Sequence, residues 1–501
     1  MNKAQFSQVL PAVFLPEKPI KVVPGRLQGS IVPPPSKSIL HRALICAALT
    51  GEMAWLEAIK GAEGFVSADI KATAKGLARL LVACRTGGGQ SAERPHSAER
   101  SHSAETPHSG IGVPAHPGGS TAAQTTVSIG SGNRQMMAEP ACFQSSGLAK
   151  PEPVAIDCGE SGSTLRFLLP VAAALGIEAV FTGAGALPDR PLRDYANIFE
   201  DRVHLGFPAG GRSLPLQLKG RLKPGHYRVP GHVSSQYITG LLLALPLTGG
   251  ECTVELTSPL ASGPYVDLTL DVMAAFGVEV IEDTELGSYG GWRLSAASQY
   301  KLPASGFRVE PDFSQAAFWL VARFIGHPIE VRDLPAVSRQ GDSQIVAVLD
   351  QLQAIRQAGA GNLYLAADDI PDLVPILSVA AATVPGTHVF AGVKRLRLKE
   401  CDRLQATQEM LASTGLKTAY DEVKDELTVY GISPFEILSG LKEGATPAPT
   451  YGDHRMAMAQ TILGCSAKHG YIVDRPGCVA KSWPDFYRDF ARLGGTYMEV
   501  D

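Results

Sequence analysis

The chain has 501 residues, more than one hydrophobic core normally holds, so two domains are expected. Hydrophobic residues at 45% and charged residues at 19% are globular proportions, and a net charge of −4 argues against the broadly basic surface of a nucleic-acid binder. No apolar run reaches the roughly 18–20 residues of a membrane-spanning helix.

The N-terminal stretch MNKAQFSQVLPAVFLPEK puts a lysine before a short apolar run that prolines break. It reads as an extension and a poor secretion signal. The eight cysteines are scattered without a C-x-x-C pair, which fits reduced thiols in a cytoplasmic protein. After a strand-like RLQGSIVPPP comes SKSILHRALICAALTG, a helix with a polar start, an apolar body and a glycine stop. Then follow a strand-like EMAWLEAI, a loop GAEGFVSAD, and an amphipathic helix with Ile70, Ala74, Leu77, Leu80 and Leu81 on one face.

From about Arg85 to Pro153 the chain turns to Gly, Ser, Thr and Pro, with a near-perfect S-A-E-R/T-P/S-H hexapeptide repeat. Lacking aliphatic residues, it reads as a disordered insert. His96, His102 and His108 recur in it without anything to fix a metal geometry.

Five more helices share the plan of the first. They open at Glu160-Ser161-Gly162, Val233-Ser234-Ser235, Asp312, Ile370-Pro371-Asp372 and Tyr451-Gly452-Asp453. An apolar body marks a helix buried on most sides. Its opening turn, with free N–H groups and the positive dipole end, suits an anion. Between these helices the chain repeats strand, loop, surface helix and strand. EAVFTGAG, LPDRP and LRDYANIFEDRVHLG make one series, with the last segment expected to be helical throughout. ECTVELTS, PLASGPY and VDLTLDVMAAFG make another, with VEVIED as a further strand. HPIEVRDL, SRQGD and SQIVAVLDQLQA, then THVFAGV, KRLRLKECD and RLQATQEMLASTG, repeat it in the second half. Six such α/β units predict two domains of three, with buried helices covered by sheets.

Chemistry-bearing residues gather at these starts. Lys37, Ser38 and Arg42 put cations and a hydroxyl at the first. Gly162 permits close backbone approach at the second, with Arg166 one turn on. A simple N-cap remains the alternative at both. Ser234, Ser235 and Gln236 open the third, and Asp372 stands at the fifth. Arg395, Arg397, Lys399, Glu400, Asp402 and Arg403 crowd one loop, either as a solvated charge run or as part of the same site. Asp453-His454-Arg455 opens the last helix, and Lys481 lies in a Gly-Cys-Val-Ala-Lys loop. Lys37, Arg42, Arg166, Arg190, Lys399, Arg403, Arg455 and Lys481 lining one cleft would suit small, multiply anionic substrates.

Seven motifs in order, P-P-S-K-S-x-x-H-R-A, G-E-S-G-S-T-x-R, V-S-S-Q-Y, I-P-D, L-K-E-C-D-R-L, D-H-R-M-A-M and C-x-A-K-S-W-P-D-F, resemble the 5-enolpyruvylshikimate-3-phosphate synthase family. The resemblance runs from about Ile20 to the C-terminus, the insert excepted. It implies an α/β fold of two domains, each of three βαβαββ units. The first would span 36–309, with the insert at about 85–153, and the second 1–35 plus 310–501. The chain would cross between them near Pro35–Ser36 and Val309–Pro311. The implied reaction moves the carboxyvinyl group of phosphoenolpyruvate to the 5-hydroxyl of shikimate 3-phosphate and releases phosphate. It needs no metal or organic cofactor and no nucleic-acid or membrane partner, and a cytoplasmic monomer is expected.

Carried over by motif, Lys37, Ser38, Arg42, Ser234, Ser235, Gln236, Ser262, Asp372 and Lys399 would hold shikimate 3-phosphate. Lys37, Gly162, Arg190, Gln236, Arg403, Arg455 and Lys481 would meet phosphoenolpyruvate. Asp372 would accept a proton, Glu400 would donate one, and Lys37 would complete the catalytic set. Three positions depart from the family pattern. Glu160 replaces a common asparagine, Phe167 a common proline, and Arg395 an asparagine that often contacts shikimate 3-phosphate. The related transferase acting on a UDP-amino sugar usually carries a reactive cysteine in a loop whose counterpart here, Gly183 to Arg193, has none.

Overall fold

The computed structural model describes residues 15–51, 67–86, 152–432 and 448–500. The N-terminal extension up to residue 14, the strand-like EMAWLEAI, most of the loop after it, the repeat and its three histidines lie outside the described residues. Arg85 and Thr86 close the helix Ala68–Thr86, so they belong to that helix and not to the insert.

All six buried helices are present: Lys37–Leu49, Gly162–Leu175, Ser235–Ala244, Phe313–Phe324, Val374–Ala382 and His454–Ser466. Side chains tie down several of their starts. Ser161 Oγ accepts from Thr164 N at 3.1 Å, Asp312 Oδ1 from Gln315 N at 3.0 Å, and Asp453 Oδ1 from Arg455 N at 2.8 Å. Such caps satisfy N–H groups that have no partner inside the helix.

The Gly162 helix has Pro170 in its interior. Proline has no N–H to give the carbonyl one turn back, at Arg166. The Tyr195 hydroxyl donates to that carbonyl at 2.6 Å instead. The Ser235 helix packs against the same place. A Cβ on its Gly240 would stand 2.1 Å from Arg166 O, so only glycine allows the approach.

Three complete units share one sheet plan. Strands Val154–Asp157 and Ala179–Thr182 run parallel on either side of the Gly162 helix in sequence. Leu216–Gly220 pairs antiparallel with Ala179–Thr182, and Val203–Gly206 pairs antiparallel with Leu216–Gly220. The same order recurs in Gly225–Val229, Cys252–Leu256, Gly291–Leu294 and Val280–Asp283. It recurs again in Leu363–Ala366, Gly386–Ala391, Glu426–Gly431 and Lys417–Asp421. A parallel pair needs a crossover, and the buried helix supplies it. Elsewhere Gly29–Ile31 pairs with Ile329–Val331, and Ile20–Val23 lies between Tyr471–Val473 and Thr496–Glu499.

Two element expectations need correction. LRDYANIFEDRVHLG is helical only over Asp194–Phe199, with a 3-10 turn Glu200–Arg202, and its end Val203–Gly206 is a strand. Val203–Gly206 pairs antiparallel with Leu216–Gly220, and that ladder overrides the helical reading of the whole segment. The VDLTLDVMAAFG helix begins earlier, at Gly263, because Pro264 fits the first turn of a helix.

Buried apolar residues form two clusters. One gathers residues between Ile39 and Tyr300, the other Ile20 to Ile31 and Phe313 to Leu493. The two segments that run between them lie side by side. Pro35 bridges Pro311, Ser36 N donates to Glu310 O at 2.8 Å, and Asp312 N donates to Pro34 O at 2.8 Å. Gln340 ties both segments, accepting from Ser36 Oγ and Phe313 N and donating to Glu310 and Pro311 O.

Candidate active site

The polar helix starts of both clusters face one cleft. From the first cluster come Lys37, Ser38, Arg42, Gly162, Arg166, Arg190, Ser234, Ser235, Gln236 and Ser262. From the second come Asp372, Arg395, Lys399, Glu400 and Arg455. Arg403 pairs with both carboxylates, and Lys481 pairs with Glu400. The proposed site residues are therefore gathered in one place, and the charged loop around Lys399 is part of it.

Arg403 organises the second wall. Its guanidinium is 1% exposed and each of its three nitrogens has a carboxylate partner. Nε donates to Asp453 at 2.6 Å, Nη1 to Asp372 at 2.7 Å, and Nη2 to Glu400 at 2.6 Å. Asp372 also meets Lys399 at 3.3 Å and Arg455 at 2.8 Å. Burial alone would raise the Asp372 pKa, but Arg455, Lys399 and Arg403 outweigh it and hold the group well below the usual carboxylate range. Glu400 meets Lys481 at 3.2 Å and Arg190 at 3.9 Å. Burial again pushes upward, and Lys481, Arg403 and Arg190 hold it well below its ordinary value. The surrounding cations thus favour the ionised form of both carboxyl groups.

The first wall is built differently. Lys37 Nζ pairs with Asp69 at 2.9 Å, and its backbone N–H donates to Asp312 Oδ2 at 2.8 Å. Arg42 has neutral partners, Thr269 Oγ1 and Tyr265 O at 2.8 Å and Ser38 O at 2.6 Å. Burial lowers its pKa to about 10. Its guanidinium lies 5.3 Å from the ring centre of Phe167, a cation–π contact. Ser262 adopts left-handed φ of 59°, uncommon for a side-chain-bearing residue. Its Oγ donates to Asp368 O at 3.1 Å and accepts from Arg395 Nη1 at 3.0 Å. Arg395 therefore sits beside a proposed substrate hydroxyl. Glu160 reaches across to Lys481 at 3.7 Å.

The chain is 34% identical over 488 residues to a 3-phosphoshikimate 1-carboxyvinyltransferase from Clostridium acetobutylicum, covering 96% of this chain and 98% of that protein. The model of the EPSP synthase (3-phosphoshikimate 1-carboxyvinyltransferase) family matches residues 128–490. The chain belongs to the EPSP synthase family. A Clostridioides difficile protein of the same name is 33% identical over 490 residues, covering 96% of this chain and 98% of that one. An EPSP synthase structure from Acinetobacter baumannii has a TM-score of 0.61 at 19% identity, covering 97% of this chain and 100% of that one. The enolpyruvyl transferase NikO from Streptomyces tendae reaches a TM-score of 0.54 at 14% identity, covering 97% and 99%. These structural likenesses establish the two-domain enolpyruvyl transferase fold.

Within this EPSP synthase family member, sequence reasoning passed over Asp69, Asp312 and Asp453 as parts of the site. Asp312 and Asp453 were visible only as helix caps, yet each carboxylate also holds a cleft residue. Asp69 carried no signal except its place in the first turn of the Ala68–Thr86 helix. Among the described residues, no cluster of His, Cys, Asp and Glu is arranged as a metal site, and no helix is long and apolar enough to cross a membrane.

Proposed function

We propose that Asp372 and Glu400 carry the proton traffic of carboxyvinyl transfer from phosphoenolpyruvate to the 5-hydroxyl of shikimate 3-phosphate, this family's reaction. One observation carries the reading: Arg403 holds the two carboxylates at opposite prongs of one buried guanidinium. In the addition step Asp372 takes the hydroxyl proton as the oxygen bonds to the vinyl carbon bearing the phosphate. Glu400 delivers a proton to the CH₂ end, which becomes CH₃. In the elimination step Glu400 takes a proton back from the CH₃ group as the C=C bond re-forms and the C–O bond to phosphate breaks, and Asp372 returns its proton to the departing phosphate. Each group thus acts as acid and as base in turn.

Asp372 is ready as a base, since its cations keep it ionised. Glu400 first has to gain a proton. Phosphoenolpyruvate brings a carboxylate and a phosphate, about three negative charges, to Arg190, Arg403 and Lys481. Once those cations face the substrate, their hold on the Glu400 anion weakens and its pKa rises. Shikimate 3-phosphate would lie on the Lys37, Arg42, Ser234, Ser235 and Ser262 side, with Arg395 and Lys399 close to its phosphate.

The same reading divides the chain at 36–309 and at 1–35 plus 310–501, supported by the two apolar clusters and the paired crossing segments. It also takes the protein as a cytoplasmic monomer. Support for the compartment comes from the seven free thiols among the described residues, which suit a reducing environment. Light scattering after gel filtration tests the monomer. Phosphate release from phosphoenolpyruvate, dependent on shikimate 3-phosphate, tests the reaction; release equal with and without the second substrate would sink it.

A further inference from the structure

Arg166 is a cleft cation to which the family resemblance gives no substrate. It is 3% exposed and lies one turn into the Gly162 helix. Its polar contacts go to neutral oxygens. Nη1 donates to Gln236 Oε1 at 3.0 Å and Nη2 to Pro191 O at 2.7 Å, while its buried Nε has no partner. A buried guanidinium facing only neutral groups is costly unless an anion completes the site. Its neighbour makes the cost larger. A Cβ built on Gly162 would stand 2.8 Å from Arg166 Nη1 and 2.9 Å from Arg190 Nη1, so the two guanidiniums converge on one glycine. Arg190 feels this: burial, and then the charge of Arg166, lower its pKa.

The bond to Gln236 has a second consequence. An amide can present either its oxygen or its NH₂ to a ligand, and neighbours decide which. Here Oε1 is taken by Arg166, and Nε2 donates to Ser163 Oγ at 3.0 Å. The amide nitrogen carries two hydrogens, so one N–H is left for the cleft. With Gln236 lining the cleft, that leaves a donor available beside the place where the substrates' negative charge must sit.

We propose that Arg166 is a positioning residue for phosphoenolpyruvate: it locks the Gln236 amide with its N–H toward the cleft and adds uncompensated positive charge beside Arg190 over Gly162. This rests on the carboxyvinyl-transfer reading. It accounts for an arginine buried without a carboxylate, and for a glycine where two guanidiniums meet. A lysine at the same position would keep the charge but lose the fork that holds Pro191 O and Gln236 Oε1 together.

The test compares wild type, Arg166→Lys, Gln236→Ala and the double variant, with kcat and the KM for phosphoenolpyruvate measured at saturating shikimate 3-phosphate. Wild-type phosphate release dependent on both substrates is the control for the reaction itself; its absence would strike the reading and not this residue. With the control in place, Arg166→Lys should raise the KM by about tenfold or more, the scale of a hydrogen bond to a charged group. Thermal stabilisation by shikimate 3-phosphate should persist, reporting a folded first wall. In the Gln236→Ala background the same change should cost much less, because its target is gone. A wild-type KM in Arg166→Lys overturns the proposal. Full additivity in the double variant overturns it too, since Arg166 would then not act through Gln236. If ligand stabilisation is lost, Arg166→Gln in the same cycle decides between coupling and collapse: additive losses overturn the proposal, and non-additive losses confined to KM support it.

Discussion

Asp453 accepts from Arg403 Nε at 2.6 Å, and both side chains are buried almost completely. This pair fixes the plane of the guanidinium whose other two nitrogens hold Asp372 and Glu400. Burial lowers the Arg403 pKa, but Asp453, Glu400 and Asp372 more than offset it and keep the charge firmly on. Asp453→Ala leaves a buried cation short of a partner and removes a helix cap. It should cost about 3–5 kcal/mol in urea unfolding, the scale for breaking a buried pair. Turnover should fall as Arg403 loses its fixed direction. Unaltered stability and turnover would show that Arg403 is oriented by Asp372 and Glu400 alone.

Proton uptake should accompany phosphoenolpyruvate binding. Glu400 is ionised in the free site because Lys481, Arg403 and Arg190 surround it. A substrate that occupies those cations raises its pKa, so protons are taken up and uptake grows as pH falls. Asp372→Asn is expected to slow kcat by roughly 10²-fold or more. Calorimetry on its shikimate 3-phosphate complex, in two buffers of different ionisation enthalpy, measures the uptake. Adding Glu400→Gln should abolish it; equal uptake in both variants would place the proton elsewhere.

Gly162→Ala acts on side chains and not on backbone. Gly162 has no left-handed φ, so alanine fits the helix start without strain. Its methyl would meet the ends of Arg166 and Arg190 at 2.8 and 2.9 Å, and both must retreat. The KM for phosphoenolpyruvate should rise about tenfold, a scale that misplacement well under 1 Å can produce. The melting temperature should hold, and so should affinity for shikimate 3-phosphate. A lower melting temperature with unchanged KM would reverse this assignment.

His41 makes stability depend on pH. Its Nδ1 lies 2.8 Å from Thr73 Oγ1, its ring stands edge-on to Phe167, and burial lowers its pKa to about 3 from an ordinary 6.5. The unfolded chain therefore binds a proton below about pH 6.5 that the folded chain refuses. Stability is lost as pH falls through that window, by up to about 1.4 kcal/mol per pH unit for this group. His41→Asn should flatten the fall between about pH 6 and pH 4 by nearly that amount. An identical pH slope in urea unfolding would mean that the proton enters the folded state.

The six buried helices were legible because each repeats a strong local pattern, a polar start before an apolar body. Ser161 and Asp312 cap their helices as that pattern predicts. The gathering of Lys37 with Asp372 was suggested by the repeat of polar helix starts and given its roles by the family motifs, since no local rule joins residues so far apart in sequence. Asp453 shows where local reading stops. It satisfies the helix start through Arg455 N, and that sufficient role hid its grip on Arg403. Val203–Gly206 was lost to its helical neighbours because a four-residue strand carries little periodicity of its own. Arg395 and Phe167 stood out as departures from a pattern, but their roles beside Ser262 and Arg42 are matters of packing.

Strand Ile20–Val23 has consequences for how the protein is made. It is an early segment, yet both of its partners, Tyr471–Val473 and Thr496–Glu499, come from the other end of the sequence. On the ribosome it must wait unpaired while nearly everything else is synthesised. The cluster around the Gly162 and Ser235 helices draws on residues in between and can settle during that wait. The second cluster cannot close until Phe486, Phe490 and Leu493 have been made. The finished cleft, which needs both walls, therefore forms only after the first cluster has had time to settle.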